Sequence, residues 1–163
     1  MLSFSRRIFL LSAAALGGCG FTPVYGPEGG ARGLQNNVLV DDPIDNVTYL
    51  LVRELEDRLG RGSGGEKYGL SLSVKTERKS VGKTIAQVTT RFDVLVEATY
   101  SLRELSTKKV VTSGKVNSFS SYSASSSTVA ELSSETDAYE RLMVILTDRI
   151  VADLQAYATT NPI

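Results

Sequence analysis

Gln87 to Leu102 reads QVTTRFDVLVEATYSL, and its alternation decides the fold. Val88, Thr90, Phe92, Val94, Val96, Ala98, Tyr100 and Leu102 fall on one parity. Gln87, Thr89, Arg91, Asp93, Leu95, Glu97, Thr99 and Ser101 fall on the other, and Leu95 alone interrupts the polar set. Side chains of a strand point alternately to opposite faces, so this is a strand with one buried and one wet face. At about 15 residues it exceeds the usual 3 to 10, so it must twist or bend.

Outward from it the same period recurs. Tyr68, Leu70, Leu72 and Val74 alternate with Gly69, Ser71, Ser73 and Lys75, predicting a strand before it. Val110 to Phe119 predicts one after it, with Gly114 marking a bulge. Seven serines between Ser118 and Ser127 suggest a loop or a solvated strand end. Val38-Leu39-Val40 reads as a short strand bounded by Asn and Asp.

Two segments change to helical spacing. Asp42 as N-cap and Pro43 in the first turn open a helix with Ile44, Val47, Leu51, Leu55 and Leu59 on one face, and Gly60 ends it. Tyr139, Leu142, Leu146, Ile150 and Leu154, with Met143 and Val151 beside them, make the apolar face of a closing helix. Thr128 or Ser134 can start it, each with an acid three residues on. The order strand, helix, three strands, helix predicts a two-layer α+β domain. Its sheet is four-stranded and mostly antiparallel, mixed if the first strand returns in parallel, with both helices packed on one face.

The N-terminus has a different character. Met1 to Arg7 holds two arginines and no acid, Ile8 to Leu16 is apolar, and Gly17, Gly18 and Cys19 follow. This is the layout of an export signal, and the apolar run is well short of the roughly 20 residues a spanning helix needs. Leu16-Gly17-Gly18-Cys19 resembles a bacterial lipobox. The resemblance implies cleavage before Cys19, leaving 145 residues, with a diacylglycerol on the thiol and an N-acyl chain as covalent additions. Gly20 in place of Asp implies the outer membrane, on its periplasmic side. Ser5-Arg6-Arg7-Ile8-Phe9-Leu10 also resembles a twin-arginine signal; both export routes stay open. The segments are thus a signal peptide at 1–18, a Gly- and Pro-rich lipidated tether at 19–35, and one domain at 36–163.

Eighteen basic and eighteen acidic residues cancel, and losing Arg6 and Arg7 with the signal leaves a net charge of −2. With no His and one Cys, the chain cannot assemble a Ser/His/Asp or Cys/His triad, a His- or four-Cys zinc site, or an internal disulfide. Three constellations could still carry chemistry. Asp41, Asp42 and Asp45 could bind a hard cation, but the first turn of a helix uses carboxylates for capping. The serine run lacks the spacing of S-x-x-K or G-x-S-x-G. Lys75, Arg78, Lys79, Lys83 and Arg91, interrupted by Glu77, lie along the end of one strand, the turn around Gly82 and the start of the next, and could hold phosphate groups through charge-assisted hydrogen bonds. The competing account of that set is a solvated, lysine-protected edge.

Cys19-Gly-Phe-Thr-Pro-Val-Tyr-Gly26 directly after the lipobox, followed by this order of elements, resembles the lipopolysaccharide-assembly lipoprotein family LptE. The resemblance implies a non-catalytic protein without cofactor that sits in the lumen of the outer-membrane β-barrel LptD, assists its assembly and binds lipopolysaccharide. Gln87, Thr89, Arg91, Asp93, Glu97, Thr99 and the serine-rich stretch would then face a polar lumen. The five basic residues would meet lipid phosphates, an assignment from charge and strand position and not from a family motif. The alternative is a periplasmic lipoprotein accessory to a lipid or solute transporter, binding a small amphiphile. An envelope hydrolase lacks its nucleophile motif.

Overall fold

The computed structural model describes residues 29–83, 85 and 89–161. The signal, Cys19, most of the tether and Gln87 lie outside the described residues.

A 310 turn at Gly30–Leu34 leads to β1 (Val38–Val40), α1 (Asn46–Leu59), β2 (Tyr68–Lys83), β3 (Thr89–Glu104), β4 (Val110–Ser123) and α2 (Thr128–Thr160). The four strands form one sheet in the order β1-β2-β3-β4. β1 runs parallel to β2, and the other two pairings are antiparallel. The sheet is therefore mixed, with both helices against one face, as the alternation predicts. The even-numbered residues of β3 form the inner face: Val94, Val96, Ala98, Tyr100 and Leu102 are buried. They meet Leu51, Leu55 and Leu59 of α1 and Leu142, Met143, Leu146, Ile150 and Leu154 of α2 in one core.

Several boundaries move, each for a local reason. The folded part begins ahead of Asn36, because the 310 turn buries Ala31 and Leu34 completely. Asp45, and not Asp42, caps α1. Its carboxylate accepts from the Thr48 amide at 2.7 Å, and the Thr48 hydroxyl accepts from the Asp45 amide at 2.9 Å, which closes a capping box. Asp41 is still bound to the sheet, donating its amide to the Leu70 carbonyl at 2.9 Å, so the chain stays extended past Pro43 and leaves Ile44 87% exposed.

Gly82 is not in the turn; it pairs with Arg91 at an irregularity of the β2–β3 ladder. Gly114 is not a bulge, since it pairs in register with Tyr100. The irregularity falls opposite Leu102 and Arg103. Gly114 is required because the Tyr100 ring lies over it, within 3 Å of where a Cβ would be. The serine-rich run divides. Ser118 to Ser123 completes β4, and Ser127 caps α2 by accepting from the Ala130 amide.

At about 3.3 Å per residue, the 16-residue β2 is about 53 Å long. The 33-residue α2 spans about 50 Å and matches it, whereas the 14-residue α1 covers only about 21 Å.

Candidate functional site

Among the described residues, the odd-numbered face of the sheet carries no helix. Its cross-strand rows are Lys75, Glu97 and Asn117; Glu77, Leu95 and Phe119; and Lys79, Asp93 and Ser121. Leu95 and the exposed Phe119 stand opposite each other, forming an apolar strip on a charged surface. The strip floors a shallow hollow of about 380 Å³ lined also by Lys75, Glu77, Glu97 and Asn117.

The structure splits the five basic candidates. Lys75 and Lys79 share the open face, and Lys79 pairs with Glu77 at 3.2 Å. Arg91 follows on the same parity of β3, beside Asp93, and Lys83 closes β2 opposite Thr89. Arg78 is on the other side. Its guanidinium sits 4.9 Å over the Phe92 ring, donates to the Tyr122 hydroxyl at 3.3 Å and approaches Glu135 of α2 at 3.7 Å. The hydrogen bond to Tyr122 first, and then the nearby Tyr122 and Glu135 groups, push the Arg78 guanidinium still higher than its ordinary value. Burial is the main cause that pushes the Tyr122 phenol up. Phe92 and Tyr122, 5.4 Å apart, complete a cluster that closes this end of the core. The period-two count from Leu72 and Val74 already sets Arg78 on their face, apart from Lys75 and Lys79.

What the linear sequence hides is the carboxylates across the ladder. Asp93 is the direct partner of Lys79 and accepts from the Ser121 hydroxyl at 2.6 Å. Glu97 is the partner of Lys75 and pairs with Lys115 at 3.0 Å. The open face is therefore a mosaic of both signs. Lys75, Lys83 and Arg91 form no ion pair among the described residues.

The three acidic residues near β1 are not a cation site. Asp41 is bound by Arg103, at 2.6 Å and 3.1 Å, and accepts from Ser71 at 2.8 Å. Burial raises the Asp41 carboxyl, but the hydrogen bonds from Arg103 and Ser71 and the Arg103 charge outweigh it, so it sits below its ordinary value. Asp45 is a cap. Among the described residues no group of His, Cys, Asp and Glu could hold a metal ion, and no helix is long and apolar enough to cross a membrane.

On the helix side, α1 ends while α2 and the sheet continue. A groove of about 380 Å³ opens there between Val47, Tyr49 and Leu50 of α1 and Leu132, Glu135 and Tyr139 of α2. Tyr49 and Leu132 are 55% and 65% exposed.

Solved structures share this architecture. A putative lipoprotein from Caulobacter crescentus superposes with a TM-score of 0.67 at 20% identity, over 79% of this chain and 95% of that one. Rare lipoprotein B from Shewanella oneidensis gives 0.54 at 12%, over 74% and 92%. A minor lipoprotein from Acinetobacter baumannii gives 0.53 at 15%, over 73% and 88%. At these identities they carry the fold alone. No curated protein matches the chain in sequence. Residues 36–154, from just before β1 to the last buried turns of α2, match the family LptE, described as Lipopolysaccharide-assembly. A match over that span, joined to the same fold, means that the chain belongs to the LptE lipopolysaccharide-assembly family.

Proposed function

We propose that this is a non-catalytic lipoprotein of the outer membrane, anchored through Cys19 on the periplasmic side. It partners and plugs an LptD-like β-barrel, assists that barrel's assembly and takes part in delivering lipopolysaccharide to the outer leaflet. The family match across 36–154 is the observation that carries the proposal.

The shape supports it. Four strands at about 4.8 Å spacing, plus one helix layer about 10 Å thick, make a body much narrower than its length of about 50 Å. Such a rod fits lengthwise into a wide barrel, and barrels of 22 strands have plugged lumens. The mosaic of charge on the open face suits a polar lumen wall, where one sign alone would be repelled by part of it. Lys79, Lys83 and Arg91, at the end of the hairpin away from the 310 turn, are the cations that would meet lipid phosphates. Arg78 is less available, because Glu135 and Tyr122 already occupy it.

The test is affinity purification of the tagged full chain from detergent-solubilised outer membrane. One very large β-barrel should co-purify in near-equal amount. A monomer without any barrel would overturn the proposal and favour the transporter-accessory alternative.

A further inference from the structure

We infer that the distal half of β2 is an open edge that accepts one further strand, from a partner whose extended segment alternates acidic and apolar residues. β1 pairs with β2 only from Tyr68 to Leu70; beyond it, Ser71 to Lys83 has no strand on that side among the described residues. The direction of the free peptide groups follows from the ladder. The Leu70 carbonyl points to the β1 side, where it accepts from Asp41, so the even-numbered Val74, Thr76, Arg78 and Ser80 present their N–H and C=O groups to the same open side. No backbone or side-chain hydrogen bond to those groups is made on that side among the described residues. An unpaired row of this kind is a template for strand addition.

The opposite edge is treated differently by the same fold. Along β4, Arg149 of α2 donates to the Asn117 carbonyl and Arg141 donates to the Ser120 hydroxyl at 3.2 Å. α2 thus occupies one edge-facing carbonyl of β4, while among the described residues no side chain occupies the free row of β2 beyond Leu70.

The charges along β2 select the occupant. On the open face, an added strand would run beside Lys75, Glu77 and Lys79. Within β2 itself the open face carries two lysines against one glutamate; Lys79 pairs with Glu77 and Lys75 has no ion pair among the described residues, so the edge strand carries one excess positive charge toward its free side, where a carboxylate is favoured. On the helix side, Glu135 and Tyr122 already hold Arg78, and Glu135 also lines the apolar groove between α1 and α2. Side chains of the added strand on that side would therefore meet a neutralised cation and an apolar hollow. One face wants acids and the other wants hydrocarbon, which in an extended segment is strict alternation. A second copy of this chain is the poorer occupant, because Lys75 to Lys83 holds four cations against Glu77 alone, and β2 against β2 would bring two positively charged strands together.

The proposal goes beyond barrel plugging and is tested without barrel or lipopolysaccharide, so its failure leaves the co-purification test untouched. The full chain in detergent micelles is titrated into two fluorescein-labelled nine-residue peptides, one alternating glutamate with valine and the other lysine with valine, and anisotropy is read. The acidic peptide should bind and the basic one should not. Thr76→Pro deletes an edge-facing N–H without touching the β3 ladder or any charge, and should weaken the acidic peptide at least tenfold with the far-UV circular dichroism unchanged. Lys75→Glu with Lys79→Glu should transfer binding to the basic peptide, which decides the matter if the proline variant misfolds. Equal binding of both peptides, binding of neither, or acidic-peptide binding indifferent to a folded Thr76→Pro would overturn the proposal. So would sedimentation showing a dimer that Thr76→Pro dissolves.

Discussion

Replacing Gly114 by Ala tests the contact that seats α2 on the sheet. Tyr100, only 4% exposed, lies across Gly114 and donates its hydroxyl to Asp153 of α2 at 2.9 Å. Burial first, then the Asp153 carboxylate, push that phenol far above its ordinary range, so it stays a donor at any ordinary pH. A Cβ on residue 114 would overlap the phenol oxygen and stand 2.6 Å from Cζ and 2.9 Å from Cε1. The ring cannot retreat, because Val94, Val96, Ala98 and Leu102 fill its own face of the sheet. Overpacking of this kind costs about 1 to 3 kcal/mol. Displacing the ring also loses a hydrogen bond to a charged acceptor, about 1.5 to 3 kcal/mol. The greater backbone freedom that Gly gives the unfolded chain returns about 0.5 to 1 kcal/mol. The net is a loss of about 1.5 to 5.5 kcal/mol. With a urea m-value of about 2 kcal/mol/M, the unfolding midpoint should fall by about 1 to 3 M. Tyr100→Leu removes the obstructing atoms, so the double variant should be less unstable than the two single losses added together. An unchanged midpoint for Gly114→Ala, or strict additivity in the pair, would refute the packing argument.

Thr147 is 1% exposed, and its hydroxyl has no partner among the described residues, so Thr147→Val should stabilise by about 1 kcal/mol and raise Tm by about 3 °C in a thermal scan. Asp41 titrates below its ordinary 3.8 in the folded protein, so the Asp41–Arg103 contact contributes fully above that value and is lost as pH falls through the lowered one. Arg103→Ala should therefore reduce urea stability at pH 7 and steepen it less with pH below 4 than in the parent. Replacing Lys79, Lys83 and Arg91 together with Ser should weaken lipopolysaccharide binding and flatten its salt dependence in a binding titration; unchanged affinity with an intact fold removes the phosphate assignment. Cys19→Ser should stop incorporation of labelled palmitate and leave an unprocessed or soluble species, and continued labelling would refute lipidation there.

The layers of the fold were legible because burial on one sheet face writes itself as alternation. Phe92 to Leu102 and Tyr68 to Val74 could be set on their faces from spacing alone, and both helices from their steps of three and four. Register is not written that way. Pairing Lys79 with Asp93 and Lys75 with Glu97 depends on where the β2–β3 hairpin closes and on the irregularity at Gly82, neither of which alters local composition. Hence a set that looks basic along the chain becomes a mosaic across it. The helix start was misplaced for a related reason. Asp42-Pro43 has the right chemistry for a cap, but a tertiary contact, Asp41 with Leu70 and Arg103, holds that chain extended, and Asp45 with Thr48 takes over. The serines from 118 to 123 read equally as a loop or a solvated strand end, and the second holds, because an edge strand with one wet face needs little apolar residue.

The unequal helix lengths connect these local facts to function. A second helix as long as α2 would have covered β2 to its end, buried Arg78 and closed the groove beside Leu132. Starting α1 only at Asn46 and stopping β1 after three residues leaves the distal half of the 16-residue β2 open, among the described residues, at its edge and on its outer face, with Arg78 held to Glu135 of α2 on the inner one. That is costly to solubility unless charge protects it, and Lys75, Glu77, Arg78, Lys79 and Lys83 supply the charge. In the proposed barrel plug, contacts with a barrel wall, a lipid phosphate or a partner strand would fall on this exposed half of the hairpin, where they can be made without disturbing the core below it.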